Sequence, residues 1–308
     1  MEEAWGFGTE ESWKGHKSEV MANVDTSPNV FVVGAPKCGT TSLYMYFKEH
    51  PDVFVPKQKE LHFFSFPEVS DTYYEVRFVK ILEEYLSYFQ GAERFKAAVD
   101  VSPSYMFNEL AARRIHDYNP DARIRVLLRN PVDRAISHYL MDRQIGYQLS
   151  PLRNFLTKTD ENRQYFKEYI EMGFYSNQLH RYIDVFSENR VLVILSDEMQ
   201  NNESASAAKL CQFLDIREMD LPIERHNVFQ GLPRNQWMYR IRKNGMLRRA
   251  ASFFPSFVKT GFKRVLLDRD GKKPSFEEER AQLSEIYRDD VTNLSELLHL
   301  DLCQLWLK

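Results

Sequence analysis

Lys37 lies inside a turn broken by Gly34, Pro36 and Gly39, directly ahead of three hydroxyl residues, Thr40, Thr41 and Ser42. A cation, a glycine-shaped backbone and a row of hydroxyl and N–H donors form a set that binds an oxyanion, phosphate or sulfate. The spacing from Gly34 to Gly39 imitates G-x-x-x-x-G-K-[ST], but Thr40 stands where the lysine of a nucleoside-triphosphate loop belongs. A second basic position, Arg129, precedes Asn130-Pro131, with Ser137 eight residues further on. The planar fork of arginine binds phosphate through two charge-assisted bonds, and serine adds a hydroxyl donor. A third group, Glu60 and His62 in the run PKQKELHFF from Pro56 to Phe64, offers a carboxylate and an imidazole for proton transfer. Alternation along a local extended segment puts both on one face.

These groups need elements to hold them. Val30, Phe31, Val32 and Val33 form an apolar, β-branched run of the kind that central parallel strands use, and a helix from the hydroxyl row to about Glu49 turns its positive end toward the anion. An apolar strand around Val126, Leu127 and Leu128 ends at Arg129. A helix then begins with Asn130 as N-cap, Pro131 in the first turn and Asp133 beside the dipole.

The run Pro36-Lys37-Cys38-Gly39-Thr40-Thr41-Ser42-Leu43 resembles the 5′-phosphosulfate loop, P-K-[ST]-G-T-[ST]-x-L, of sulfotransferases that use 3′-phosphoadenosine 5′-phosphosulfate (PAPS). Cys38 departs from that pattern. Arg129 and Ser137 match the spacing of the family's 3′-phosphate site. The segment 173–199 looks like the helix-then-strand unit of heparan sulfate N-sulfotransferases and bacterial sulfotransferases, with a parallel strand at Val191 to Leu195. Helices at 204–214 and 275–300 follow, and the resemblance extends over roughly residues 28 to 308.

The resemblance implies an α/β fold, a three-layer parallel β-sheet flanked by helices, with a P-loop-like phosphate-binding turn. It implies in-line transfer of a sulfonate from PAPS to a hydroxyl or amine, with adenosine 3′,5′-bisphosphate (PAP) released. Lys37 would stabilise the leaving phosphate, by analogy with the cationic clamps of phosphoryl transfer. Cys38, Gly39, Thr40, Thr41 and Ser42 would line the donor site. PKQKELHFF resembles the stretch of heparan sulfate 3-O-sulfotransferases whose glutamate is the base, so Glu60 takes that role, with burial against Phe63 and Phe64 raising its pKa. His62 is the rival base. Arg234, in a late loop, is a further candidate for the 3′-phosphate. Asp100 to Phe107, DVSPSYMF, resembles E-K-T-P-x-Y, but Val101 replaces the lysine, which argues against a heparan-like polymer as acceptor. Ser102 and Tyr105 are secondary site-lining candidates. The helix terminus beside Cys38 predicts a thiolate-prone cysteine that PAP would protect.

Composition sets the outer bounds. The 308 residues, 43% of them hydrophobic, suffice for one large α/β core, read as a polar extension over 1–27 and a single domain over 28–308. The first 27 residues hold no apolar stretch of signal-peptide length, and no apolar run of ~18 residues follows. Three cysteines without metal-ligand spacing predict reduced thiols and a cytoplasmic setting, with no metal in the scheme. Residues 234–264 carry nine Lys or Arg and no Asp or Glu, interleaved with aromatics, within a chain of net charge −3. Amphipathic packing explains that stretch first; a functional role would be an acceptor lid or peripheral membrane contact rather than nucleic acid. The expected partner is a small-molecule or glycan acceptor. A P-loop-type kinase, or a nucleotide-binding protein without catalysis, is the competing reading, and neither accounts for Arg129 with Ser137.

Overall fold

A computed structural model describes residues 27–74, 76–219, 232–233, 267–268 and 274–307. Arg234, the basic stretch 234–264 and residues 1–26 of the polar extension lie outside the described residues. The strands are β1 (Val30–Gly34), β2 (Val53–Phe54), β3 (Ala97–Val101), β4 (Arg123–Leu128), β5 (Val191–Leu195), β6 (Leu232–Pro233) and β7 (Leu267–Asp268). The α-helices are α1 (Thr40–Glu49), α2 (Leu82–Ser87), α3 (Ser104–Phe107), α4 (Ala111–Tyr118), α5 (Pro131–Ile145), α6 (Arg163–Tyr169), α7 (Tyr175–Phe186), α8 (Ser196–Asn201), α9 (Glu203–Leu214), α10 (Glu277–Leu298) and α11 (Leu302–Trp306). The chain groups into two compact units. One is Met1–Arg129 with Tyr175–His226, the other Asn130–Phe174 with Asn227–Lys308.

The first unit is built on a five-stranded sheet in the order β2-β3-β1-β4-β5, every pairing parallel. All five residues of β1 and of β3 are buried, as are those of β4 after Arg123. Such continuous burial, rather than alternation, is what a sheet covered on both faces demands. Phe31 meets the edges of Phe64 and Tyr118. The end of β1 then comes so close to α3 that a Cβ on Gly34 would lie 2.5 Å from Cβ of Met106, so only glycine fits there. Asp100 lies inside β3 and is fully buried. Three hydroxyls satisfy its carboxylate: Ser102 donates to Oδ1 at 2.7 Å, and Tyr85 and Tyr105 donate to Oδ2 at 2.8 and 2.7 Å.

The second unit centres on α5. Asn130 caps it as the sequence predicts, its Oδ1 accepting from the N–H of Val132 at 2.9 Å while its Nδ2 donates to the carbonyl of Trp306 at 2.7 Å. Arg134, His138 and Asp142 recur at four-residue intervals and are all buried. Arg134 donates to the carbonyls of Glu168 and Tyr169, and the Tyr169 hydroxyl donates to Asp142 Oδ2 at 2.6 Å. Tyr287 of α10 donates to the carbonyl of Ile170 at 2.9 Å and fills the space where Gly173 has no side chain. Helix α10 covers all but the ends of the helix expected over 275–300, and β5 coincides with its expected span.

Candidate active site

The turn after β1 is held from several sides within the first unit. The register of β1 against β4 shifts between Val32 and Gly34, and the N–H of Ala35 donates to the carbonyl of Leu127 at 2.7 Å, two residues before Arg129. Ser196, at the start of α8, donates its hydroxyl to the carbonyl of Cys38 at 2.7 Å. Gly39 sits at φ 99° as the N-cap of α1, and the first i→i−4 bond of the helix runs from Leu43 N–H to Gly39 O at 3.2 Å. The N–H groups of Thr40, Thr41 and Ser42 therefore precede the helical ladder. No acidic residue occupies the first turn of α1, so its positive end is not neutralised by its own side chains.

Neighbouring strands β1 and β4 carry Lys37 and Arg129 just beyond their carboxyl ends, the edge where parallel α/β sheets hold ligands. Arg129 is half-buried, and its guanidinium has no hydrogen-bond or ion-pair partner among the described residues. Ser137 lies in the second unit, on α5, half-buried and likewise without a partner among the described residues.

The base candidates are brought to the same turn. Tyr44 of α1 donates its hydroxyl to the carbonyls of Pro56 and Lys57 at 2.8 and 3.1 Å, fastening the Pro56–Phe64 run to the helix that carries the loop. The N–H of Glu60 donates to the carbonyl of Val101 at the end of β3. Glu60 and His62 do not alternate along an extended segment: both adopt left-handed backbone, at φ 64° and 58°. They still meet, with His62 Nε2 3.9 Å from Glu60 Oε2. Lys37 is also left-handed, at φ 70°, so three of the six non-glycine residues with positive φ among those described are candidate site residues. Each such conformation costs on the order of 1 kcal/mol and persists where the surrounding bonds over-determine it.

Electrostatics separates the two bases. Burial pushes the Glu60 carboxyl up, but Lys59, His62 and Lys37 together outweigh it and hold the group below the ordinary carboxylate value. The expectation of a raised pKa fails because the carboxylate stays 43% exposed and lies against cations rather than against Phe63 and Phe64 alone. His62, with its side chain 8% exposed, is pushed down by burial, an effect that Lys59 reinforces and Glu60 opposes. Its Nδ1 lies 2.7 Å from Ser104 Oγ, which pairs in turn with Ser65 Oγ, while Nε2 is buried without a hydrogen-bond partner.

Other readings shift. The thiol of Cys38 is buried between the Pro36 carbonyl and the Tyr175 hydroxyl, both 3.7 Å away. A cysteine packed there lacks the exposure that the expected reactive thiol needs. Ser102 and Tyr105 serve Asp100 in the core. Lys59, which the sequence reading passes over, contacts Glu60 Oε1 and donates to Thr40 Oγ1 at 3.4 Å. Its signal lay in the run itself, a lysine adjoining the base candidate. Alternation assigns it to the opposite face, and the left-handed turn at Glu60 removes that distinction.

The arrangement sets donors suited to an oxyanion close to a carboxylate suited to accept a proton. The sulfotransferase domain family matches residues 27–263. The chain is 27% identical over 207 residues to the bifunctional heparan sulfate N-deacetylase/N-sulfotransferase 2 of Bos taurus, covering 62% of this chain and 22% of that protein. It is 26% identical over 214 residues to the human heparan sulfate glucosamine 3-O-sulfotransferase 6, covering 67% and 58%. It thus spans well under two thirds of the length of these relatives. Among solved structures, a sulfotransferase from Alicyclobacillus acidocaldarius superposes with a TM-score of 0.68 at 28% identity, covering 92% of this chain and 99% of that one. With the parallel sheet, the oxyanion turn and a family match over most of its length, this chain belongs to the sulfotransferase domain family.

Proposed function

We propose that this sulfotransferase takes its sulfonate from PAPS and delivers it to a hydroxyl or amine of a small-molecule or saccharide acceptor, with PAP as the second product. The observation that carries the donor assignment is the pairing of an uncapped, acid-free N-terminus of α1 with the unpartnered Arg129, on neighbouring strands β1 and β4. A donor with phosphates at both ends of its ribose needs two such anion sites. Lys37, Gly39 and Thr40 to Ser42 hold the 5′ end; Arg129 and Ser137 are assigned to the 3′-phosphate. Lys37 neutralises charge that grows on the leaving phosphate oxygen. Glu60 takes the acceptor proton, with His62 beside it as a neutral imidazole. Val101 in place of a lysine favours an acceptor less anionic than a sulfated polymer.

The test is calorimetric titration of the protein with PAP and, separately, with ATP, repeated on Arg129→Ala. PAP should bind much more tightly than ATP, and the substitution should weaken PAP by roughly tenfold or more, the range expected for a charged hydrogen bond to phosphate. A preference for ATP would support the kinase reading instead.

A further inference from the structure

The ammonium of Lys59 stands between two groups with different tasks. On one side it contacts Glu60 Oε1; on the other it donates to Thr40 Oγ1, 3.4 Å away, at the first residue of α1. Its side chain is 16% exposed. An ammonium carries three N–H donors, and these are its only partners among the described residues, so one donor remains for a ligand. Thr40, accepting from Lys59, keeps its own O–H to donate, which suits an oxyanion in the turn. Of the cations that hold the Glu60 carboxyl down, Lys59 acts more strongly than Lys37.

We propose that Lys59 couples the donor turn to the base: without donor its ammonium holds the Glu60 carboxylate, and with donor it passes to the sulfonate oxygens and frees Glu60 for the acceptor proton. The proposal rests on the PAPS reading above. A carboxylate held against an ammonium is stabilised in its charged form and is a poorer proton acceptor than a free one. An oxyanion bound beside Thr40 competes for the same ammonium, because in a partly buried site two anions within reach of one cation interact strongly with it. In the transfer itself the acceptor oxygen or nitrogen forms its bond to sulfur, and the bond from sulfur to the phosphate oxygen breaks. The acceptor proton goes to Glu60 and the leaving charge to Lys37. Lys59 touches Glu60 on one side and Thr40 of the donor turn on the other, so base and donor are ready together, and Glu60 stays occupied when no donor is bound.

A double-mutant cycle on donor binding tests this without any acceptor. PAPS and PAP are titrated by calorimetry into the wild-type protein, Lys59→Met, Glu60→Gln and the double variant, with Lys59→Arg as a control that keeps the cation. Lys59→Met should weaken PAPS about tenfold and PAP, which lacks the sulfonate, by under about threefold. Glu60→Gln removes the competing anion and should tighten PAPS by about threefold or more when Lys59 is present, and leave it unchanged in the Lys59→Met background. Lys59→Arg should restore most of the PAPS affinity. Equal losses for PAPS and PAP, or a Glu60→Gln effect that persists without Lys59, would overturn the coupling. A wild-type protein that binds neither nucleotide would instead sink the PAPS assignment itself.

Discussion

At the scale of single residues, the site is a competition among charges for one carboxylate, and His62 reports on it. Burial lowers the affinity of His62 for a proton, Glu60 raises it and Lys59 lowers it. The ring should therefore titrate below the ordinary histidine value of ~6.5. Removing the negative charge with Glu60→Gln should push it lower still, whereas Lys59→Met should move it up. The chemical shift of the His62 ring proton, followed by NMR from pH 8 to 4, reads all three. A Glu60→Gln variant whose His62 titrates as in wild type would show that the two side chains are not electrostatically coupled. Lys37 gives the matching catalytic prediction: Lys37→Ala should cost about 100-fold or more in turnover, the scale seen when one electrostatic donor to a developing anion is lost. A lysine that only binds the ground state would raise KM and leave kcat unchanged.

At the scale of elements, much of this was legible in the chain. The strand Val30–Gly34 followed by hydroxyls, and the Asn130-Pro131 start of α5, are read directly because local physics sets both: continuous apolar runs for a covered strand, a side-chain cap for a helix. What escapes is whatever depends on a distant partner. The conformation at Glu60 is imposed by the carbonyl of Val101, and the burial of the Cys38 thiol by Tyr175, 137 residues away. The place of Asp100 inside β3 is hard to read locally because a carboxylate in a core strand contradicts local preference. Three hydroxyls from Tyr85, Ser102 and Tyr105 reverse that preference, and two of the three flank it in sequence. Gly34 ties local and distant together, since its Cβ would lie 2.5 Å from Met106. Gly34→Ala should destabilise the fold by about 1–3 kcal/mol, as overpacking does, and lower PAP affinity by displacing the turn. Denaturant melts and PAP titration of the same variant measure both; a stable variant with unchanged affinity would show that α3 can retreat. Asn130→Ala should cost about 1–2 kcal/mol through the cap, with the lost bond to the Trp306 carbonyl included.

At the scale of the whole molecule, acid reveals which carboxylates the fold depends on. Asp52 receives the N–H of Arg217 and its guanidinium, with contacts of 2.7 to 3.1 Å across 165 residues of sequence. Those hydrogen bonds hold its pKa down to about 2. Glu68 is pushed up by burial but brought net below its ordinary value by Arg114, and Glu60 is also lowered. Asp100 runs the other way, raised by burial against its three hydroxyl donors. A carboxyl whose folded pKa is depressed contributes stability that is present above its unfolded value and is lost as pH falls through the folded one. A raised one does the reverse, so Asp100 partly offsets the other three. Three lowered groups against one raised predict that the melting temperature falls as pH drops from about 5 toward 2, with Asp52 carrying the lowest part of that slope. Asp52→Asn should melt below wild type at pH 6 and show a shallower decline below pH 4, because the variant has no carboxylate there left to protonate. Melting temperatures that coincide through that range would mean that the tie between β2 and the chain after α9 contributes nothing to stability. The acid sensitivity would then rest with Glu60 in the candidate site and with Glu68, which is paired with Arg114, rather than with the margin of the sheet.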